Sequence, residues 1–397
     1  MDNKRPPRIE SLRVQNYRTL RNFELKNISP LTVFIGPNGS GKTTVLDVFA
    51  FLADCFTIGL CKAWDSRGRF RELRTRGQTD PITIEIKYRE QPQSPLITYH
   101  LSIDEAPAGP VVAREWLQWR RGSRGGPFRF LDFKHGSGMV VVAAPGKESS
   151  GEERIEETLD SPDLLAVSVM SQLARNPRIS ALRRFVTSWH LSSFAADRTR
   201  RIPEAGMQER LSLTGDNLLN VIQYLKAQHP DRLQKIVETL VRWVPRLQKV
   251  GSEILLDDHI FLRIKDSPLE QPVLARHASG GTLKILAYLT LLYSPDPPQL
   301  IGVEALEKHL HPRLLPELAE ESRLATVCTQ LMVTTHSPFF VNGLRPEEVW
   351  VLYRDKGGFT QAKRTADISG VPDFIEAGAL LGYLWMEGHL GMGALAG

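Results

Sequence analysis

The chain has 397 residues, of which 42% are hydrophobic and 24% charged, the balance of a packed globular protein of one large two-lobed domain or two average ones. The net charge of +5 leans toward an anionic partner without demanding one. Cys55, Cys61 and Cys328 are too few and too scattered for a disulfide framework or a zinc set, so a reducing cytoplasm is expected. No apolar run approaches the roughly 18 residues of a membrane span, and no apolar signal core follows Met1–Pro7, so no membrane partner is expected.

In chain order, Ile9–Val14, Phe23–Leu25 and Leu31–Ile35 read as strands. The last is apolar, β-branched and ends at a glycine, as a buried central strand does. Residues 42–54 read as a helix. From 80 to 145 the pattern is period two: Ile82, Ile84, Ile86 and Tyr88 share one face, and Leu96–Ile103, Trp116–Arg120 and Met139–Ala143 follow suit. The polar stretch 145–162 reads as a loop. Residues 163–246 turn helical, with Leu218, Leu219, Val221, Ile222 and Leu225 at helical spacing, followed by Ile236, Leu240, Val241 and Val244. A strand pair, Glu253–Leu256 and Ile260–Ile264, follows, and from 278 onward helices and strands alternate. The expected fold class is α/β. The expected division is a first lobe with a β-rich subdomain over 1–155, a helical lobe over 156–275 and a C-terminal α/β lobe over 276–397.

Gly36-Pro37-Asn38-Gly39-Ser40-Gly41-Lys42-Thr43 fits G-x-x-x-x-G-K-[ST] between a strand and a helix. Glycines let successive backbone N–H groups turn inward as an anion nest, and the helix starting near Lys42 aims its positive end at the phosphates. Lys42 is placed to reach β- and γ-oxygens, and Thr43, followed by Thr44, offers a hydroxyl to Mg²⁺. ATP and Mg²⁺ are therefore the expected cofactors. Further along, Ala278-Ser279-Gly280-Gly281-Thr282 opens an apolar helix, Leu283–Leu292. It resembles the ABC signature, a helix N-terminus that binds the γ-phosphate of ATP held by an opposite protomer. Then Gln299–Val303 is a short apolar strand ending in Glu304, the place that supports the metal. Leu331–Thr335 is a strand running into His336, which reads either as a γ-phosphate or water contact or as a structural histidine.

Together these motifs, with Ile9–Leu20, Leu310-His311-Pro312 and Thr334-Thr335-His336-Ser337-Pro338, resemble the RecF/OLD/SMC-like branch of ABC ATPases, often labelled AAA-like. The resemblance covers about 1–60 and 270–365 well and the middle loosely. It implies an ABC-type head, Arg18 near the nucleotide, a homodimer or higher homo-oligomer with ATP at the interface, and a role in DNA repair or anti-phage defence, often beside a nuclease or TOPRIM-like protein. Relatives show an acid-acid-Pro-Glu run before Leu-His-Pro. Here the run is Glu304-Ala305-Leu306-Glu307, so Ala305 stands where the catalytic glutamate is expected. Three explanations stay open: a natural nucleotide-gated switch with slow hydrolysis and intact binding, an engineered alanine at 305, or Glu304 or Glu307 substituting as base. The stretch after His336 reads as too short for an appended nuclease, so the effector is expected to be another protein. The alternatives are an autonomous ATPase acting on DNA ends and a transporter nucleotide-binding subunit.

Other features stay open at this level. Arg67, Arg69, Arg71, Arg74 and Arg76 read as a nucleic-acid strip or as a solvated or partner-binding face. Arg114, Arg120, Arg121, Arg124 and Arg129, interleaved with Trp116 and Trp119, suit base stacking or a plain hairpin. Arg198, Arg200 and Arg201 form a third basic group. Gln78 is a candidate for the glutamine loop. Leu384-Trp385-Met386 reads as a docking segment or a core cap.

Overall fold

The computed structural model describes residues 6–120, 126–143, 152–172, 176–192, 206–244, 247–254, 260–266, 273–274 and 278–391, with Phe194 and Thr199. Among the described residues, three sheets of eight, six and three strands organise the fold. The largest is antiparallel, in the order Leu20–Lys26, Arg8–Tyr17, Ile82–Arg89, Ile97–Ala106, Gly109–Arg120, Pro127–Lys134, Ser137–Ala143, Glu152–Thr158. Its alternation is legible in Ile82–Arg89, where every second residue is buried. The final strand corrects the expected loop over 145–162: Glu152–Thr158 pairs along its length with Ser137–Ala143. Its residues are charged but for Ile155 and Thr158, as suits an edge strand, and that composition hides it from a hydrophobicity reading.

The six-stranded sheet runs His190–Ser192, Leu300–Val303, Gln330–Thr334, Leu31–Ile35, Val349–Arg354, Thr360–Arg364. Its first five strands are parallel and its last antiparallel. Leu31–Ile35 is buried throughout. Phe34 faces one core, with the helices Lys42–Thr57 and Pro177–Thr187. Leu31, Val33 and Ile35 face another, with the helices Leu218–Gln228, Pro230–Trp243 and Gly280–Leu292. A strand covered on both faces reads as one apolar run rather than as alternation. This sheet gathers strands from all three expected segments of the chain, and the three-residue strand His190–Ser192 lies inside the stretch that reads as helical. The third sheet pairs Leu247–Ile254 with Ile260–Asp266 and Val273–Leu274.

In the parallel sheet, Val33, Val333 and Val303 lie side by side on adjacent strands. Gly36, Thr335 and Glu304 therefore emerge at the same edge. The carboxyl ends of parallel strands are where open α/β sheets bind ligands.

Candidate nucleotide site

The phosphate loop leaves Ile35 through Gly36, at φ 143°, and enters the helix through Gly41, at φ 104°. A side chain at Gly36 would place its Cβ 2.2 Å from the Leu352 carbonyl oxygen, and one at Gly41 would sit 2.3 Å from Thr360 Oγ1. Both glycines are thus required by backbone angle and by close approach. Pro37, Asn38 and Gly39 are exposed, Ser40 is buried, and Thr44 lies half-buried in the first turn of the helix. The loop is buttressed from the C-terminal hairpin. Arg354 Nε donates to the Gly39 carbonyl at 2.7 Å, and Thr360 Oγ1 donates to that of Ser40 at 2.9 Å.

Lys42 is buried, and its Nζ donates to the carbonyls of Gly36 and Pro37, each at 2.9 Å. Burial lowers its pKa, while Glu307 and then Glu304 oppose that shift. Thr43 Oγ1 donates to Glu304 Oε1 at 2.5 Å, joining the first helical turn to the end of Leu300–Val303. That pairing of a phosphate-loop hydroxyl with an acidic strand end, beside an anion nest and a lysine, fits magnesium and a nucleotide triphosphate. Thr43 and Glu304 would hold the metal, and the loop N–H groups and Lys42 the phosphates. Among the described residues no group of three or more His, Cys, Asp or Glu forms a cage. The chemistry fits that too, since magnesium beside phosphates takes only one or two protein ligands.

Glu307 is fixed by the neighbouring strand end. It accepts from Thr335 Oγ1 at 2.7 Å and from the His336 N–H at 2.9 Å. His336 is exposed. Its pKa is lowered by partial burial first and by the Lys42 charge second, with Glu307 opposing. The structure thus brings Lys42, Thr43, Glu304, Glu307 and His336 to one place. Ala305 sits between the acids at φ 48°, its N–H donating to Thr334 Oγ1 at 3.0 Å.

Ser279 caps the helix Gly280–Leu292, its Oγ accepting from the Thr282 N–H at 3.1 Å. Ser279 is exposed and Gly280 and Gly281 are half-buried. This end of the helix lines a cleft of about 410 Å³ with Trp243, His309, Leu310, His311 and Arg313. No residue of the phosphate loop lines that cleft.

Arg18, at φ 49°, pairs with Asp47 of the first helix at 3.0 Å. It borders a cleft of about 760 Å³ with Thr19, Arg354, Gly357, Gly358 and Phe359. Arg354 links this cleft's wall to the phosphate loop through its bond to the Gly39 carbonyl. Arg354, Phe359 and Thr360 escape a sequence reading because they lie far along the chain on an antiparallel edge hairpin. Only the Gly357-Gly358 turn marks them.

The arginine strip is broken up. Arg67 pairs with Asp47 and Asp54, Arg69 with Asp65, and Arg74 with Asp104. Four acids besides Glu72 therefore serve it: Asp65 from one helical turn before Arg69, and Asp47, Asp54 and Asp104 brought in by packing from farther along the chain. Gln78 does not reach Thr43 or Glu304. Its side chain donates to the Gly77 carbonyl and lines a polar groove with Gln15, Asn22 and Asp355. Arg114 and Arg129 share Asp132, and Arg129 also lies over Trp116. The side chains of Arg120, Arg121 and Arg124, and residues Arg198, Arg200 and Arg201, lie outside the described residues. Leu384 is buried in the second core, while Met386 is 57% exposed.

Residues 146–342 match the family model described as "AAA domain, putative AbiEii toxin, Type IV TA system", and residues 8–174 match that of the "AAA ATPase domain". No curated protein matches the chain. Among solved structures it is similar to the SMC head bound to the C-winged helix domain of ScpA, with 13% identity and a TM-score of 0.55 over 89% of this chain and 97% of that one. It is also similar to an SMC head domain with an extended coiled coil bound to the C-terminal domain of ScpA from Pyrococcus furiosus. There the identity is 10% and the TM-score 0.55, over 93% of this chain and 100% of that one. At such identities the likeness establishes the fold. Among the described residues no helix is long and apolar enough to cross a membrane.

Proposed function

We propose, on the premise that this chain is an AAA/ABC-like P-loop ATPase of the SMC/RecF/OLD type, that it works as a slow, nucleotide-gated switch. It binds Mg²⁺-ATP at Lys42 and Thr43. It then pairs head to tail with a second copy, whose Ser279–Gly281 helix end closes on the γ-phosphate. Bound magnesium would neutralise phosphate charge. Lys42 orients the phosphates, Glu304 holds the Thr43 hydroxyl and His336 faces the γ-phosphate end. The observation that carries the reading is Ala305: the residue between the Thr43-bound Glu304 and the pinned Glu307 has no group to accept a proton from water. Glu307 spends both carboxylate oxygens on Thr335 and His336, which argues against it as a free base.

The long-lived ATP-bound pair would control a separate effector, nuclease or TOPRIM-like, in DNA repair or anti-phage defence. The match to a putative AbiEii toxin family of type IV toxin–antitoxin systems, and the ScpA domain bound by both SMC heads, support that direction. The intramolecular pairing of Arg67, Arg69 and Arg74 weakens the case for nucleic acid bound along residues 67–76.

Sedimentation with and without ATP tests the pairing. ATP should convert monomer to dimer, and Ser279→Arg should block that step while leaving the monomer's own nucleotide affinity, measured below the pairing concentration, unchanged. An unaltered chain that remains monomeric with saturating ATP would sink the reading.

A further inference from the structure

The largely apolar helix Gly280–Leu292 carries one charged side chain, Lys284, which is only 3% exposed. A buried ammonium is costly unless it is well bonded. The Nζ of Lys284 donates to the Ala305 carbonyl at 2.8 Å and to that of Lys308 at 3.2 Å. Both carbonyls belong to the loop that follows the acidic strand and carries Glu304 and Glu307.

That loop is bent by two residues other than glycine in the left-handed region, Ala305 at φ 48° and His309 at φ 70°. Each such residue costs on the order of 1–2 kcal/mol and persists only where its surroundings enforce it. The enforcing contacts come from two sides. On one side, the strand end Thr334–His336 takes the Ala305 and Leu306 N–H groups and the Glu307 carboxylate. On the other, the signature helix supplies Lys284. Its first turn packs so close that a Cβ on Gly281 would lie 2.5 Å from the His309 carbonyl oxygen. The acid loop is therefore clamped between the helix that Ser279 caps and the strand that ends at His336.

We propose that Lys284 is a positioning residue that couples the two half-sites of one chain. When Ser279 engages the γ-phosphate carried by a second copy, the helix moves with it. Lys284 passes that displacement to Ala305 and Lys308, and so to Glu304 and Glu307 beside the chain's own nucleotide. Each nucleotide in the pair then senses the other. This rests on the head-to-tail reading above. The coupling is a linkage between two defined sites through one contiguous contact.

The test uses the full chain and a fluorescent ATP analogue, titrated at protein concentrations below and above the pairing threshold. The unaltered chain should bind cooperatively where it pairs, with a Hill coefficient above 1, and non-cooperatively where it does not. Lys284→Met fills the same space without the donor. It should keep monomer affinity within about twofold, still pair, and lose about tenfold of the affinity gained on pairing, within the usual range of intersite coupling. Lys284→Arg, which restores a charged donor, should recover cooperativity. Should Lys284→Met fail to fold, Lys284→Gln replaces it with the same expectation. Cooperativity that survives loss of the ammonium, or that Lys284→Arg does not restore, overturns the proposal. So does pairing without cooperativity in the unaltered chain. Absence of ATP-dependent pairing in that chain overturns the head-to-tail reading as well, so the two failures are distinct.

Discussion

Two helix N-termini in this chain present glycines and a hydroxyl, and they are finished in opposite ways. The one at Gly41–Lys42 is enclosed by its own chain: Leu352 and Thr360 press on its glycines, Arg354 holds Gly39, and Glu304 takes the Thr43 hydroxyl. The one at Ser279–Gly280 has its cap exposed, over a cleft lined by His309, His311 and Trp243 rather than by the phosphate loop. Both carry the same partial positive charge. What differs is who completes them. The first is closed over by contacts of its own chain, whereas the second is firmly held from inside, by Lys284, and open outside. In the proposed head-to-tail pair they are the two unlike halves of one composite site.

The largest expected effect breaks the enclosed half. Lys42→Ala removes the side-chain ammonium folded over the phosphate loop. Nucleotide binding measured by calorimetry should fall below detection. Undiminished affinity in that variant would place the nucleotide elsewhere and dissolve the contrast between the two helix ends.

A smaller but still large effect is expected where the two halves meet. Ala305→Glu puts a carboxylate between Glu304 and Glu307. Phosphate release should rise by roughly 10² or more, the contribution of a general base, and the ATP-bound pair should dissociate sooner. The left-handed backbone at position 305 is already imposed on alanine, so glutamate adds little further strain. If the unaltered chain already turns over at about 1 s⁻¹, near the low end of common enzymes, and Ala305→Glu changes nothing, the base lies elsewhere.

The enclosed half was largely legible in the sequence because its parts are local: a strand, a glycine loop and a helix within Leu31–Thr57. The acidic and switch strands were legible for the same reason, as short apolar runs ending in Glu304 and His336. What was not legible depends on contacts distant in sequence. Asp104 neutralises Arg74 from a strand thirty positions on, so the arginines looked free. Thr360 braces Ser40 across 320 positions, and Glu152–Thr158 is a strand because Ser137–Ala143 offers it an edge. Nothing in the sequence singles out Lys284; its place is given only by the Ala305 and Lys308 carbonyls beside it.

The smallest effect concerns that lysine and sharpens the claim that the open half is held from inside. Burial lowers the Lys284 pKa to about 8, with Lys308 acting in the same sense and Glu307 opposing. An unfolded lysine titrates near 10.4. Below pH 8 both states carry the charge, and the folded chain bears its full burial cost. Between about 8 and 10.4 the folded chain releases the proton while the unfolded chain keeps it, so the unfolded state binds more protons and stability rises with pH. The gain is at most about 3 kcal/mol, and the neutral amine still donates to the two carbonyls. Other lysines and tyrosines titrate in the same window, so the quantity to follow is the difference from Lys284→Met, which lacks this group alone. Thermal unfolding at pH 7.5 and at pH 10 should show the unaltered chain gaining several degrees relative to the variant, given about 2–4 °C per kcal/mol for a domain somewhat smaller than this one. Melting temperatures that run parallel across that interval would mean that Lys284 is not buried against the acid loop, and that the signature end is no more firmly held within than without.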